Sequence, residues 1–308
     1  MENQRDRQIT HLETIAEIAK GVGFSINLRD MLDYAMEKVI KALDIEACSL
    51  LLIDESTNEL FFEISKGEKG MLIESKKGML RLKMGQGIAG WVAQIGKACI
   101  INKPEEYPRF YKQMDMITGF ATRNIVCVPL LVRSKIKGVI ETVNRKKGDF
   151  NEVDLAFIYA VASQVAVAIE NMDLYKEFNQ SRNYYTGIIE NMPGGLIGMD
   201  REGRIITANL TACRILGLVK KDMEGTHYKS ALIRQREIAD VLAKTLIEKT
   251  AVNRMELKAR GKSDEEITIG YGTIITQNAL KEITGVAIIF QDLTHIKEIK
   301  KRVEKILE

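Results

Sequence analysis

Residues 151–185, NEVDLAFIYAVASQVAVAIENMDLYKEFNQSRNYY, contain neither proline nor glycine. Their apolar residues Leu155, Ile158, Ala162, Val165, Ile169 and Met172 recur three and four apart, the period of an α-helix with one buried face. Asn151 is placed to cap this helix, and Glu152 and Asp154 put negative charge where the first-turn N–H groups are unpaired. The stripe continues through Tyr175 and Phe178 and loses definition over residues 179–183. A run this long exceeds the usual globular helix. It reads as a shaft that leaves one domain and enters the next.

A chain of 308 residues is larger than one core usually serves, so two domains are expected. Hydrophobic content of 45% and charged content of 28% belong to the ordinary soluble globular class. No apolar run approaches the roughly 20 residues of a bilayer span, and the polar start MENQRDRQ lacks the apolar segment of a signal peptide. A cytoplasmic protein without membrane insertion is the expectation. A net charge of +3, with basic and acidic residues interleaved, implies no nucleic-acid partner. Cys48, Cys99, Cys127 and Cys213 are widely spaced within apolar segments and form no Cys-x-x-Cys pair. They read as free buried thiols, and no metal site is expected.

Upstream of the shaft, residues 8–43 carry two helical patterns, one through Ile9, Leu12, Ile15 and Ile18, the other through Met31, Leu32, Ala35, Val39, Ile40 and Leu43. Residues 21–24 separate them and residues 25–30 supply capping chemistry. Residues 47–67 give two apolar runs around a turn cluster at 54–58, which is a hairpin. Residues 80–84 and 99–102 read as strands, and 124–132 and 139–143 as neighbouring strands across a charged turn at 133–137. Gly85, Gly87 and Gly90 spell G-x-G-x-x-G before a short helix with Trp91 and Val92. The strand before them is weak and no parallel crossover with an acidic ribose contact follows, so tight turns are expected in place of a dinucleotide site.

Three stretches in series, GQGIAGWVAQIGKACIIN (85–102), RNIVCVPLLVRSKIKGVIETVNRK (123–146) and FNEVDLAFIYAVASQVAVAIEN (150–171), resemble a GAF domain spanning residues 8–171. The resemblance implies a central antiparallel sheet with helices on one face, often a dimer surface, and a small-molecule pocket on the other. Candidate pocket residues are Leu50, Trp91, Phe110, Ile117, Asn124, Cys127 and Thr142, each with core packing as its competing role. Some cyclic-nucleotide-binding members share an Asn-Lys, Phe, Asp-Glu motif. Here Asn144–Arg145, Phe150 and Asp154–Leu155 stand, two positions depart, and the pattern also has a helix-capping explanation. Cyclic nucleotide therefore stays an alternative ligand. A methionine sulfoxide reductase on this fold would resemble its family by a thiol near residues 87–90, where Ile88 and Ala89 occur.

Past the shaft, residues 184–190 read as a short helix, 196–199 and 204–207 as a hairpin, and a helical run passes through Ile233, Ile238, Val241, Leu242 and Leu246. Strands follow at 252–259, 266–275 and 285–293. MDREGRIITAN (199–209), Ile215 to Gly217 and GVAIIFQDLT (285–294) resemble a PAS domain over residues 183–294, which implies one five-stranded antiparallel sheet and several short helices around a core that sometimes holds a ligand. Candidate pocket residues are Asn209, Cys213, His227, Tyr228, Met255, Ile269 and Ile288. Asp292 and Thr294, in the aspartate–aliphatic–threonine exit of the family, are assigned to signal transmission, because polar side chains at a strand end can bond to the next helix. A photoreactive flavin site would place cysteine near residues 225–228, and haem would place histidine within 232–246; neither residue occurs there, which argues against both cofactors.

Residues 295–308 set Ile296, Ile299, Val303 and Ile306 at spacings of three, four and three, a coiled-coil seam. The fold class expected is α+β, two antiparallel sheets with flanking helices, joined by a helix at 152–182. No nucleophile with a base and no paired catalytic carboxylates are evident, so the chain is not read as an enzyme. The expectation is a cytoplasmic sensory module: a parallel homodimer that binds small ligands and passes their occupancy through helices to an output unit, such as a histidine kinase of a two-component system. No output domain is read here, so a fragment or an adaptor is expected. The alternatives are a ligand-free dimerisation scaffold, a cyclic-nucleotide-binding regulator and a thiol-dependent methionine sulfoxide reductase.

Overall fold

The computed structural model describes residues 2–24, 27–67, 80–118 and 121–307. It divides into two units, Met1–Glu177 and Phe178–Glu308.

In the first unit, α1 (Glu2–Phe24) continues through the expected break at residues 21–24. Asn27 accepts a hydrogen bond from the Arg29 N–H and starts α2 (Leu28–Leu43), which ends on left-handed Asp44. Then come β1 (Ile45–Asp54), β2 (Glu59–Gly67), β3 (Arg81–Lys83), α3 (Gly87–Ile95), β4 (Cys99–Ile101), a 3₁₀ turn (Pro104–Glu106), α4 (Lys112–Thr118), β5 (Ile125–Val132) and β6 (Lys135–Arg145). The strands form one antiparallel sheet in the order β3-β2-β1-β6-β5-β4.

Side chains alternate across a strand, so each sheet face takes a different core. Cys48, Leu50, Val126, Val128 and Ile140 pack against α2 and the following long helix. Leu51, Phe62, Leu82, Ile125, Cys127 and Val139 pack against Ile88, Ala89, Val92 and Ala93 of α3. An added Cβ on Gly90 would sit 2.5 Å from the Lys83 carbonyl oxygen, and Gly85 and Gly87 have positive φ. The glycine series thus serves a tight strand-to-helix turn, as expected, and an antiparallel sheet excludes the dinucleotide crossover.

The long helix is α5 (Glu152–Asn191), 40 residues without interruption. It absorbs residues 184–190, which the sequence suggested as a separate helix. The polar run at 179–183 blurs an apolar stripe but does not stop a helix; a stop needs proline or a capping break. Phe157, Ile158, Val161, Ala162, Val165, Ala166 and Ile169 are buried in the first unit. Among the described residues this is the one helix long and apolar enough to cross a bilayer by length and composition, contrary to the sequence expectation, and half of that apolar window is buried in the protein.

The second unit contains β7 (Gly195–Asp200), β8 (Ile205–Ala208), α6 (Leu210–Leu216), α7 (Lys220–Met223), α8 (Tyr228–Ala231), α9 (Arg236–Glu248), β9 (Met255–Arg260), β10 (Glu266–Gln277), β11 (Ile283–Asp292) and α10 (Thr294–Leu307). Its antiparallel sheet has the order β8-β7-β11-β10-β9. Ile197, Met199, Ile267, Ile269, Ile288 and Phe290 pack against Leu216, Ile238 and Leu242. Ile233, expected on a helical face, lies in the turn before α9 and is 64% exposed. On α10, Ile296, Ile299 and Val303 are exposed, while the side chain of the fourth seam position, Ile306, lies outside the described residues.

Candidate functional site

The face of the first sheet opposite α5 holds a cavity of about 80 Å³. Its floor is formed by Ala47 and Ser49 of β1 and Glu141 and Val143 of β6; Ile88 of α3 and Met114 and Asp115 of α4 close it, and Phe62, Phe110 and Tyr111 line it. Strand pairing sets Ser65, Ser49, Glu141, Cys127 and Cys99 opposite one another in a single row across β2, β1, β6, β5 and β4.

Within that row Ser49 and Ser65 satisfy each other, Oγ to Oγ 2.6 Å apart. Glu141 is different. No hydrogen-bond donor among the described residues reaches its carboxyl, and burial, reinforced by the charge of Asp115, pushes its pKa up to about 7. Asp115 is committed elsewhere, accepting from the Thr122 N–H at 2.9 Å and from Thr122 Oγ1 at 2.6 Å. The residues described around the cavity include two carboxylates and no lysine, arginine or histidine.

The thiols beside Glu141 are poor nucleophiles. Burial raises Cys127 well above the usual thiol range, with Glu141 adding to it, and raises Cys99 to about 11. Cys48 is raised by burial as well.

Of the residues singled out in this unit, Phe110 lines the cavity and Cys127 sits beside Glu141 in the transverse row. Leu50 and Thr142 point to the other face, Leu50 into the α2–α5 core and Thr142 bonding the Val126 carbonyl. Asn124 is buried and accepts from the Arg145 N–H at 2.8 Å. Trp91 lies at a tilt to Tyr107 and under Arg109, and Ile117 is 41% exposed; neither borders the cavity. Glu141, Asp115 and Tyr111 were not singled out. An acid between Val139 and Val143 on the inward positions of a strand was the available signal for Glu141.

Residues 25–170 match the GAF domain family and residues 183–293 match the PAS fold family. The chain carries a GAF domain followed by a PAS domain. A Caenorhabditis elegans relative, named as the probable 3',5'-cyclic phosphodiesterase pde-5, is 29% identical over 155 residues, which cover 49% of this chain. The match spans only 21% of that protein. The GAF domain of a phosphoenolpyruvate-protein phosphotransferase (ptsP) from Coxiella burnetii has a TM-score of 0.50 at 20% identity and covers 55% of this chain and 98% of its own. A GAF domain of an Acinetobacter phosphoenolpyruvate-protein phosphotransferase has a TM-score of 0.47 at 23% identity, covering 54% and 97%.

The GAF motif positions Asn144, Arg145 and Asp154 build the strand-to-helix junction. Asn144, at a φ of 58°, accepts from the Arg123 N–H and donates to Glu46 and the Ala121 carbonyl. Asn151 accepts from the N–H groups of Val153 and Asp154, and Asp154 accepts in return from the Asn151 N–H, a capping box. Arg145 and Arg7 both pair with Asp154.

In the PAS domain, Asn209 is fully buried. It accepts from the N–H groups of Leu196 and Ala212 and donates to the carbonyls of Ile189 and Gly194, so it ties the end of α5 to β7 and α6. His227 caps α8 by accepting from the Lys229 N–H, and its ring lies 4.7 Å from that of Tyr228. Cys213, Ile269 and Ile288 are core residues, whereas Met255 is 47% exposed on an open recess of the sheet lined also by Tyr271 and Gln291. Asp292 accepts from the Thr294 N–H, and Thr294 Oγ1 accepts from the Thr268 N–H, linking the first turn of α10 to β10.

Proposed function

We propose that this chain is the cytoplasmic sensory part of a signal-transduction protein, in which a small ligand in the GAF cavity biases the arrangement of paired helices that lead to an output unit such as a histidine kinase. The observation that carries this reading is the cavity itself, an apolar recess in a GAF domain whose floor holds a carboxyl that no donor among the described residues reaches. Ligand binding shifts such an equilibrium only by its differential affinity for the two helix arrangements. Support for a parallel homodimer comes from exposed apolar residues on the helices that would pair: Tyr175 and Phe178 on α5, and Ile296, Ile299 and Val303 on α10.

Native mass spectrometry of the freshly purified protein tests both parts of the proposal. A dimer with one small molecule per chain is the expected result. An empty dimer would favour the scaffold reading, and a monomer at high concentration would defeat the relay. The distant phosphodiesterase relative raises a cyclic-nucleotide regulator as a second reading. Against it stand the two carboxylates around the cavity and the absence of any basic side chain among its described lining, because a phosphate would meet repulsion without a counter-charge.

A further inference from the structure

We propose that the GAF cavity takes a small organic cation, a protonated amine whose ammonium group docks on the carboxylate of Glu141. The proposal rests on the sensory reading above and specifies the charge of the ligand.

A carboxyl in an apolar site without a donor is costly to ionise, and the cost disappears when a cation supplies charge and hydrogen bonds together. Glu141 is in that situation: it lines the cavity, and no donor reaches it from the described protein. The groups that face it do not compensate. Asp115 of α4 is a second negative charge, Cys127 of β5 and Cys99 of β4 are thiols, β1 contributes the hydroxyl of Ser49, and α3 has no titratable residue. Tyr111 turns its hydroxyl to Gln113, donating at 2.6 Å. Among the described lining, two acids without a base make the interior potential negative, which favours cations and disfavours anions. Phe62, Phe110 and Tyr111 supply an aromatic lining, a surrounding that suits an organic cation. Asp115 contributes through space, since its own oxygens are held by Thr122.

Isothermal titration calorimetry on the full 308-residue chain decides the matter. The probes are benzylamine and isobutylamine, each with its alcohol and its carboxylic acid as neutral and anionic counterparts. The expected result is binding of an amine and of neither counterpart, weakened at least about tenfold in Glu141→Gln. Affinity should rise about tenfold between pH 6 and pH 8 as Glu141 ionises. Circular dichroism checks that the variant folds; if it does not, the pH series on the natural chain still decides. Binding of the alcohol or the acid as tight as that of the amine, an unchanged Glu141→Gln variant, a flat pH profile, or no amine binding at millimolar concentration would overturn the proposal. A neutral or anionic molecule co-purifying in the cavity would overturn it too, while leaving the sensory reading intact; a cavity empty of every class of molecule would defeat both.

Discussion

Asp154 holds three partners at once: the Asn151 N–H, Arg145 and Arg7. Its side chain is fully buried, so its removal strands Arg145, itself only 10% exposed, and opens the start of α5. Asp154→Ala should cost about 2–4 kcal/mol, read as a lower guanidinium midpoint, because an unpaired buried charge and a lost cap act together. Asn209 is the counterpart in the PAS domain. Four backbone groups depend on its amide, and Asn209→Ala should cost about 2–3 kcal/mol by the same measurement. Both roles were half visible beforehand. Asparagine and aspartate at strand-to-helix junctions announce capping, but which carbonyls and guanidinium groups meet them depends on chain distant in sequence.

The elements divide by how local their causes are. α5 follows from its own periodicity and from the absence of proline over residues 152–191. Gly187 lies within it, with nothing near an added Cβ, so Gly187→Ala should raise stability by about 0.5–1 kcal/mol, read as a higher thermal midpoint. A midpoint that falls would mean that this part of α5 needs the conformational freedom of glycine. At the other end of the PAS domain, Asp292 at the end of β11 accepts from the first N–H of α10, and Thr294 joins α10 to β10, each through a single hydrogen bond. On the proposed relay, Asp292→Ala should leave ligand affinity unchanged and abolish the output response of a chain fused to a reporter kinase; an unaltered response would remove Asp292 from the relay.

For the molecule as a whole, two ionisable groups in the GAF core set opposed pH dependences. His11 is buried and stacked 4.2 Å from Phe157, and its Nε2 has no partner. Burial first, and the charge of Arg7 second, hold its pKa below the ordinary 6.5. Its neutral form is the one that fits, so its contribution is intact above pH 6.5 and is lost as pH falls through the lowered value. Glu141 runs the other way: with its pKa raised from 4.5 to about 7, its contribution is complete below pH 4.5 and is lost as pH rises toward 7. Glu141→Gln should therefore stabilise the ligand-free protein by about 1–3 kcal/mol at pH 8 and leave it unchanged near pH 4, measured by urea unfolding at the two pH values. Equal effects at both would place the Glu141 carboxyl in solvent. The periodicities of the chain, with capping and turn residues, were sufficient for most strands and the long helix, because these arise from interactions within a few residues or from alternation along one strand; the antiparallel sheet topology was implied by the two family resemblances, carried by their motif stretches. The site was not legible in that way. β1 pairs with β6, and β6 with β5, so Ser49, Glu141 and Cys127 become neighbours only when segments far apart in the chain settle into one register. Asp115 joins them only because α4 borders the same cavity. A carboxyl that no donor among the described residues reaches is a property of that assembled surface, since whether a donor reaches it depends on every element that packs there.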